Sequence, residues 1–183
     1  MSFRGFIAID VEAGEWRKFE ESLRTLGSAV RILAPEIIHF TLKFLGDTPE
    51  DAQESILQAL REACQGEASF PIRLQGVGVF PSPAKPSVVW IGGAEDGSLS
   101  RITGRLEENL AGIGFPQENR PFTPHLTIAR VKGPVNPSRL QGILTEFSAA
   151  SFGTVLVRSV RLKRSVLGAG GPTYSTVGEI TLP

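Results

Sequence analysis

The order of elements in this sequence predicts an α+β fold of two pseudo-symmetric αβ lobes whose antiparallel sheets face a central cleft, within one domain spanning residues 1–183. Three observations carry that expectation. An apolar run, a helical stripe, a histidine-bearing strand and a second helical stripe occur in that order in the first half and recur in the second, offset by about 85 residues. The only two histidines, His39 and His125, occupy equivalent places in the two copies, each in the pattern His-x-Thr-x inside an apolar run. Successive side chains of a strand point to opposite faces, so His39 and Thr41 share one face against Ile38, Phe40 and Leu42, and His125 and Thr127 share one against Leu126 and Ile128. A pseudo-two-fold axis between the copies would turn the two His-x-Thr faces toward each other.

The elements follow from local pattern. Phe6 to Val11 is a short apolar run suited to a buried strand. Over residues 12–28, Trp16, Phe19, Leu23 and Leu26 are spaced as one face of an amphipathic helix that closes near Gly27. After Pro35 the first His-x-Thr strand runs to Leu45 and is expected to stop at Gly46-Asp47. Thr48 then reads as the cap of a helix with Pro49 in its first turn and Ile56, Leu60 and Ala63 on its buried face. Phe70 to Val79 and Ser87 to Ile91 read as strands, separated by a loop, residues 80–86, whose prolines argue against regular pairing. Leu99, Ile102, Leu106, Leu110 and Ile113 mark a further helix, and after the second His-x-Thr strand another helix spans Pro137 to Phe147. Val155 to Leu167 and Tyr174 to Leu182 read as one hairpin turning through residues 168–172.

Composition narrows the function classes. A chain of 183 residues buries roughly 70% of its unfolded surface. Lys plus Arg and Asp plus Glu number 19 each, so bulk charge attracts no polyanion and any such ligand must meet a local basic cluster. Cys64 is the single cysteine, which excludes an internal disulfide and fits a reducing compartment. The N-terminal residues lead into a strand rather than a signal-peptide core, and no apolar run reaches the length of a membrane span. The expectation is a cytoplasmic, membrane-independent monomer.

Two histidines facing one cleft can hold opposite protonation states, one donating and one accepting a proton, while a threonine hydroxyl beside each supplies a donor for an oxyanion. That set suits in-line displacement at phosphorus and requires no cofactor. A zinc site takes three or four ligands, and two histidines with one isolated cysteine do not provide them. Lys43 shares the His39 face by strict alternation and is a candidate phosphate contact, and Phe44 by the same rule belongs to the core. Arg158, Arg161, Lys163 and Arg164 form the densest positive run and the best track for an RNA backbone. Phe122, in a proline-framed loop, is open for base stacking, whereas Gly168 to Gly171 lacks the lysine and helix of a phosphate-binding loop.

Several segments taken together resemble one family. Phe6-Ile7-Ala8-Ile9-Asp10, Ile38 to Gly46, Phe80-Pro81 leading to Val88-Val89-Trp90, and Arg120-Pro121-Phe122-Thr123-Pro124 running through His125-Leu126-Thr127-Ile128-Ala129-Arg130 resemble the RNA 2',3'-cyclic phosphodiesterases. That group was first described as bacterial and archaeal 2'-5' RNA ligases and belongs to the two-histidine phosphoesterases. The resemblance implies a metal-independent enzyme that opens a terminal 2',3'-cyclic phosphate on RNA to leave a 2'-phosphate. It assigns proton donation to His39 and proton acceptance to His125, while their same-face placement beside the histidines makes Thr41 and Thr127 the expected phosphate contacts. Family members often carry an arginine where Arg130 stands; alternation from His125 puts it on the wrong face, so its candidacy requires the strand to end or bulge first. Ligation of a 5'-hydroxyl RNA at the same site, and an RNA-end or nucleotide-binding module without turnover, are the rival expectations.

Overall fold

Because residues 6–9 are apolar on both faces, the strand they build must be covered on both sides. The computed structural model, which describes residues 1–11, 14–168 and 171–183, places them in β1 (Ser2–Asp10), an interior strand with a neighbour along each edge. Helix α1 (Arg17–Arg24) buries Phe19 and Leu23, a shorter helix than the stripe suggests. Residues 12 and 13 of that expected span lie outside the described residues. The short strand β2 (Val30–Ile32), which no sequence pattern announced, pairs the second-half histidine strand.

β3 (His39–Pro49) overruns the expected stop at Gly46-Asp47. Gly46 adopts φ +68° and marks a register shift, a conformation that glycine reaches without steric cost, and pairing with β1 continues to Pro49. Thr48 is therefore no helix cap. It is fully buried opposite Phe3, with its hydroxyl donating to the Gly46 carbonyl at 3.1 Å. A 3₁₀ turn at Glu50–Ala52 leads instead into α2 (Gln53–Cys64), which buries Ile56, Leu60 and Ala63.

β4 (Phe70–Ser82) and β5 (Lys85–Ala94) form a longer hairpin than the prolines suggested, paired through Pro81 opposite Pro86 to Ser82 opposite Lys85. Pairing of β4 with its other neighbour ends at Gln75, and pairing of β5 with its other neighbour begins at Val88. No third strand thus asks these prolines for an N–H. Next come α3 (Ser98–Ala111), β6 (His125–Val131) and α4 (Pro137–Glu146), the last capped by the Asn136 side chain accepting from the Arg139 N–H at 3.1 Å.

The expected strand from Val155 to Leu167 is two strands. β7 (Ser151–Val157) pairs β4, whereas β8 (Ser159–Gly168) pairs β1 on one side and β9 (Gly171–Thr181) on the other. At Arg158 the chain crosses from one end of the sheet to the other. The β8–β9 hairpin stands as expected; residues 169 and 170 of its turn lie outside the described residues.

The strands form one sheet in the order β7-β4-β5-β6-β3-β1-β8-β9, with β2 alongside β6. This order is symmetric about the β6/β3 seam, where Phe40 opposite Leu126 is the one registered pair. The two expected sheets are thus halves of a single sheet, pinned by two fully buried side chains, each contributing about 1.5–3 kcal/mol of burial. The helices interlock the halves. α1, between β1 and β3 in sequence, crosses to the other lobe, where Phe19 meets Phe147 at 5.1 Å and Phe152 at 5.8 Å between ring centroids. α3 crosses the opposite way onto α2, where Asn109 Nδ2 donates to the Ala59 carbonyl at 3.1 Å.

Candidate active site

The seam brings the candidate site residues together. β3 and β6 are antiparallel neighbours with Phe40 opposite Leu126, so residues on either side of that pair project together: His39 on the side of Thr127, and Thr41 on the side of His125. All four line a cleft of about 600 Å³ between the lobes.

Both rings are held alike. His39 Nδ1 lies 2.8 Å from the Ile37 carbonyl and His125 Nδ1 lies 2.8 Å from the Thr123 carbonyl. A carbonyl only accepts, so Nδ1 carries the proton in each ring. Nε2 is left as the atom available for proton exchange, and the carbonyl two residues earlier fixes the plane of the imidazole.

A matching irregularity follows each motif. Pairing to β1 passes from Ala8–Thr41 to Ile7–Lys43, and pairing to β5 passes from Trp90–Thr127 to Val89–Ala129. Leu42 and Ile128 are the extra residues of two bulges, and the residues after them exchange faces. This meets the condition under which Arg130 joins His125: Arg130 is exposed and lines the cleft. The same kind of bulge overturns the placement of Phe44 in the core, since its side chain is 67% exposed and lines the cleft.

It also turns Lys43 away from the face alternation gave it. Lys43 is 3% exposed, with its ammonium 2.7 Å from Glu107 Oε2 of α3 and 2.8 Å from the Pro116 carbonyl. Lys43 and Glu107 both line the cleft, and the ammonium is engaged by that carboxylate of α3. The basic run of β8 is likewise engaged. Arg161 pairs with Asp10 and Glu179, Lys163 with Asp10, and Arg164 with Glu50 while covering the Phe3 ring. None of those residues, nor Arg158, lines the cleft, so the run is a scaffold of ion pairs rather than a track beside the histidines.

The rings differ in what surrounds them. His39 packs against Phe6 at 5.0 Å and Tyr174 at 5.3 Å, which also touch each other at 4.9 Å, and burial lowers its pKa below the ordinary histidine value. The Ile37 carbonyl and Asp10 oppose that shift, while the Lys163 and Arg130 cations add to it. Burial pushes Asp10 upward too, but hydrogen bonds from Lys163 and Arg161 outweigh it and leave Asp10 below its usual range. Burial raises the Tyr174 phenol, which stays protonated at neutral pH. His125 stands in a more open setting, its Nδ1 bond exposed, with Phe80 edge-on at 5.0 Å and Trp90 at 6.4 Å.

Sequence pattern did not single out Phe6 or Trp90 as supports of the histidines. The one local signal is Gly78 opposite Trp90: a Cβ at Gly78 would lie 2.2 Å from the indole, so that residue must lack one. Phe122, expected to be open for stacking, lines the cleft half-buried. Among the described residues, no three His, Cys, Asp or Glu side chains gather as a metal-holding group.

A family model described as the 2'-5' RNA ligase superfamily matches residues 8–164. The chain belongs to this superfamily. A relative from Archaeoglobus fulgidus, named RNA 2',3'-cyclic phosphodiesterase, is 39% identical over 173 residues, covering 93% of this chain and 96% of its own. A relative of the same name from Methanothermobacter thermautotrophicus is 35% identical over 178 residues, covering 96% of each chain. The superfamily fold recurs in a crystal structure from Thermus thermophilus, with a TM-score of 0.77, 26% identity and coverage of 98% of this chain and 97% of that one. Escherichia coli LigT in complex with 3'-AMP shares the fold at a TM-score of 0.74 and 23% identity, covering 100% and 99% of the two chains.

Proposed function

We propose that this chain hydrolyses the 2',3'-cyclic phosphate at the end of an RNA, leaving a 2'-phosphate and a free 3'-hydroxyl. The observation that carries the reading is the pair of imidazoles, each with Nδ1 tied to a carbonyl, lining one cleft with a threonine beside each. The names of the relatives supply the substrate class.

In the reaction, a water oxygen bonds to phosphorus as the bond from phosphorus to O3' breaks. One Nε2 takes the proton from water and the other gives a proton to O3'. The hydroxyls of Thr41 and Thr127 donate to the nonbridging oxygens, and the Arg130 guanidinium offsets their charge. General acid and general base each contribute about 10²- to 10⁴-fold. Solvent then returns the two histidines to their starting protonation states.

Donation by His39 and acceptance by His125 follow the family resemblance. The burial that lowers the His39 pKa favours the exchanged roles, because a ring that resists protonation enters the cycle ready to accept a proton. A substrate with sulfur in place of O3' separates the two, since a thiolate leaves without a proton: it rescues the alanine variant of the donor only. Lys43 is assigned to holding α3 against β3 rather than to phosphate.

The test is incubation of an oligonucleotide ending in a 2',3'-cyclic phosphate with the protein in EDTA, followed by mapping of the product phosphate. Formation of a 2'-phosphate that requires both histidines supports the reading. Retention of near wild-type turnover by His125→Ala would falsify it. Ligation is the same displacement with a 5'-hydroxyl in place of water, and a longer product on adding 5'-hydroxyl RNA would reveal it. Stoichiometric binding without turnover would leave only the binding module.

A further inference from the structure

A second cavity, of about 210 Å³, opens beside His39 on the side away from His125 and shares His39, Phe44, Arg130 and Tyr174 with the catalytic cleft. We propose that it holds the nucleotide immediately 5' to the reactive end of the RNA, with Arg4 and Arg130 meeting the intervening phosphodiester and Phe44, Leu167 and Tyr174 receiving the base. The proposal rests on the hydrolase reading above and extends it to a preference for substrates of two or more nucleotides.

Five features of the cavity point the same way. It adjoins the cleft through four shared residues, so a chain anchored by its terminal phosphate between the histidines has this cavity within reach of its next nucleotide. Arg4 of β1, Phe44 of β3 and Arg130 of β6 all line it, so two cations and an aromatic ring share one cavity. Such a set of cations and rings suits single-stranded nucleic acid, whose phosphates take the charge while the bases stack. Two of the apolar side chains are held largely in water, Phe44 at 67% and Leu167 at 68% exposed. Ligand burial would remove that cost.

Among the described residues no carboxylate lines the cavity, although acidic and basic residues are equal in number over the whole chain. The walls therefore select for an anion. The volume is below the roughly 300–1,000 Å³ of pockets that enclose a whole drug-sized ligand, which fits one further nucleotide fragment. The β8 basic run plays no part in it, since its cations are paired with Asp10, Glu50 and Glu179.

The test compares kcat/KM in EDTA for a mononucleoside 2',3'-cyclic phosphate and for the dinucleotide that carries the same cyclic end. The wild-type protein is expected to favour the dinucleotide roughly 10-fold or more, the order set by one stacked base. Arg4→Gln and Leu167→Asp, both at exposed positions outside the catalytic cleft, are expected to remove most of that advantage and leave mononucleoside turnover unchanged. Thermal midpoints within a few degrees of wild type would show both variants folded. Equal wild-type kcat/KM for the two substrates, or variants that depress both in proportion, would overturn the proposal and leave the hydrolase reading standing. Turnover of neither substrate by the wild type would overturn both.

Discussion

The two copies of the His-x-Thr strand share a backbone and differ in their neighbours. Each places a ring bonded at 2.8 Å to the carbonyl two residues earlier, a threonine two residues later and a bulge just beyond. Around that common frame, the first copy packs Phe6 and Tyr174 against His39 and sets the Asp10–Lys163 pair within its electrostatic reach, whereas the second leaves His125 more open beside Phe80 and Trp90. After the bulge the copies read Lys43-Phe44 and Ala129-Arg130. Duplication thus supplies the geometry that in-line displacement needs, and divergence supplies the inequality that a donor and an acceptor need.

Substitution of either ring breaks the comparison most completely. His39→Ala and His125→Ala are each expected to lower kcat by about 10²- to 10⁴-fold, measured on a cyclic-phosphate oligonucleotide in EDTA. Rescue of one variant alone by the sulfur-bridged substrate identifies the donor; equal rescue of both would remove the division of labour. Thr41→Val and Thr127→Val keep shape and delete a hydroxyl. Each should cost about 10²-fold in kcat, and the two losses should agree within a few-fold if the pseudo-symmetry extends to the phosphate.

Lys43→Ala makes the first copy read like the second. Its loss leaves Glu107 without the ammonium it faces at 2.7 Å, so the expected effect is about 1–3 kcal/mol of folding stability by urea titration. KM should stay unchanged, and a KM rise without a stability loss would restore Lys43 to the phosphate site.

The smallest effect separates the rings by proton affinity. Lys163→Met removes a cation that depresses His39 and should move the His39 limb of the rate profile upward, leaving the other limb in place. The same lowered pKa makes the neutral ring the stable folded form. Its stabilisation is present above the unfolded pKa of about 6.5 and is lost as pH falls from there through the folded pKa. His39→Ala should flatten that part of the pH dependence, read as the urea midpoint between neutral and mildly acidic buffer.

Local pattern carried far where it was periodic and failed where a partner strand decided. The stripes of α2, α3 and α4 and the alternation around both histidines were legible because each depends on residues a few positions apart. Thr48 read as a cap because a polar residue before Pro49 and two acids has that local chemistry, yet β1 claims it for the ladder opposite Phe3. The split of the last long strand at Arg158 was missed for the same reason: it is defined by the pairing partner, which changes from β4 before that residue to β1 after it. Phe44 and Lys43 exchanged faces at a bulge that only the register against β1 defines.

The amino-acid order alone established the duplication, the two imidazoles with their threonines, and the absence of a bulk charge to attract RNA. Pairing of β3 against β6 then decided that the duplicated groups meet. The bulges decided that Arg130 and Phe44 line their cleft, and packing around His39 decided that this ring resists a proton. Strand register and burial sum contacts from segments far apart in the chain, and those contacts take definite form only once the sheet closes along its central seam.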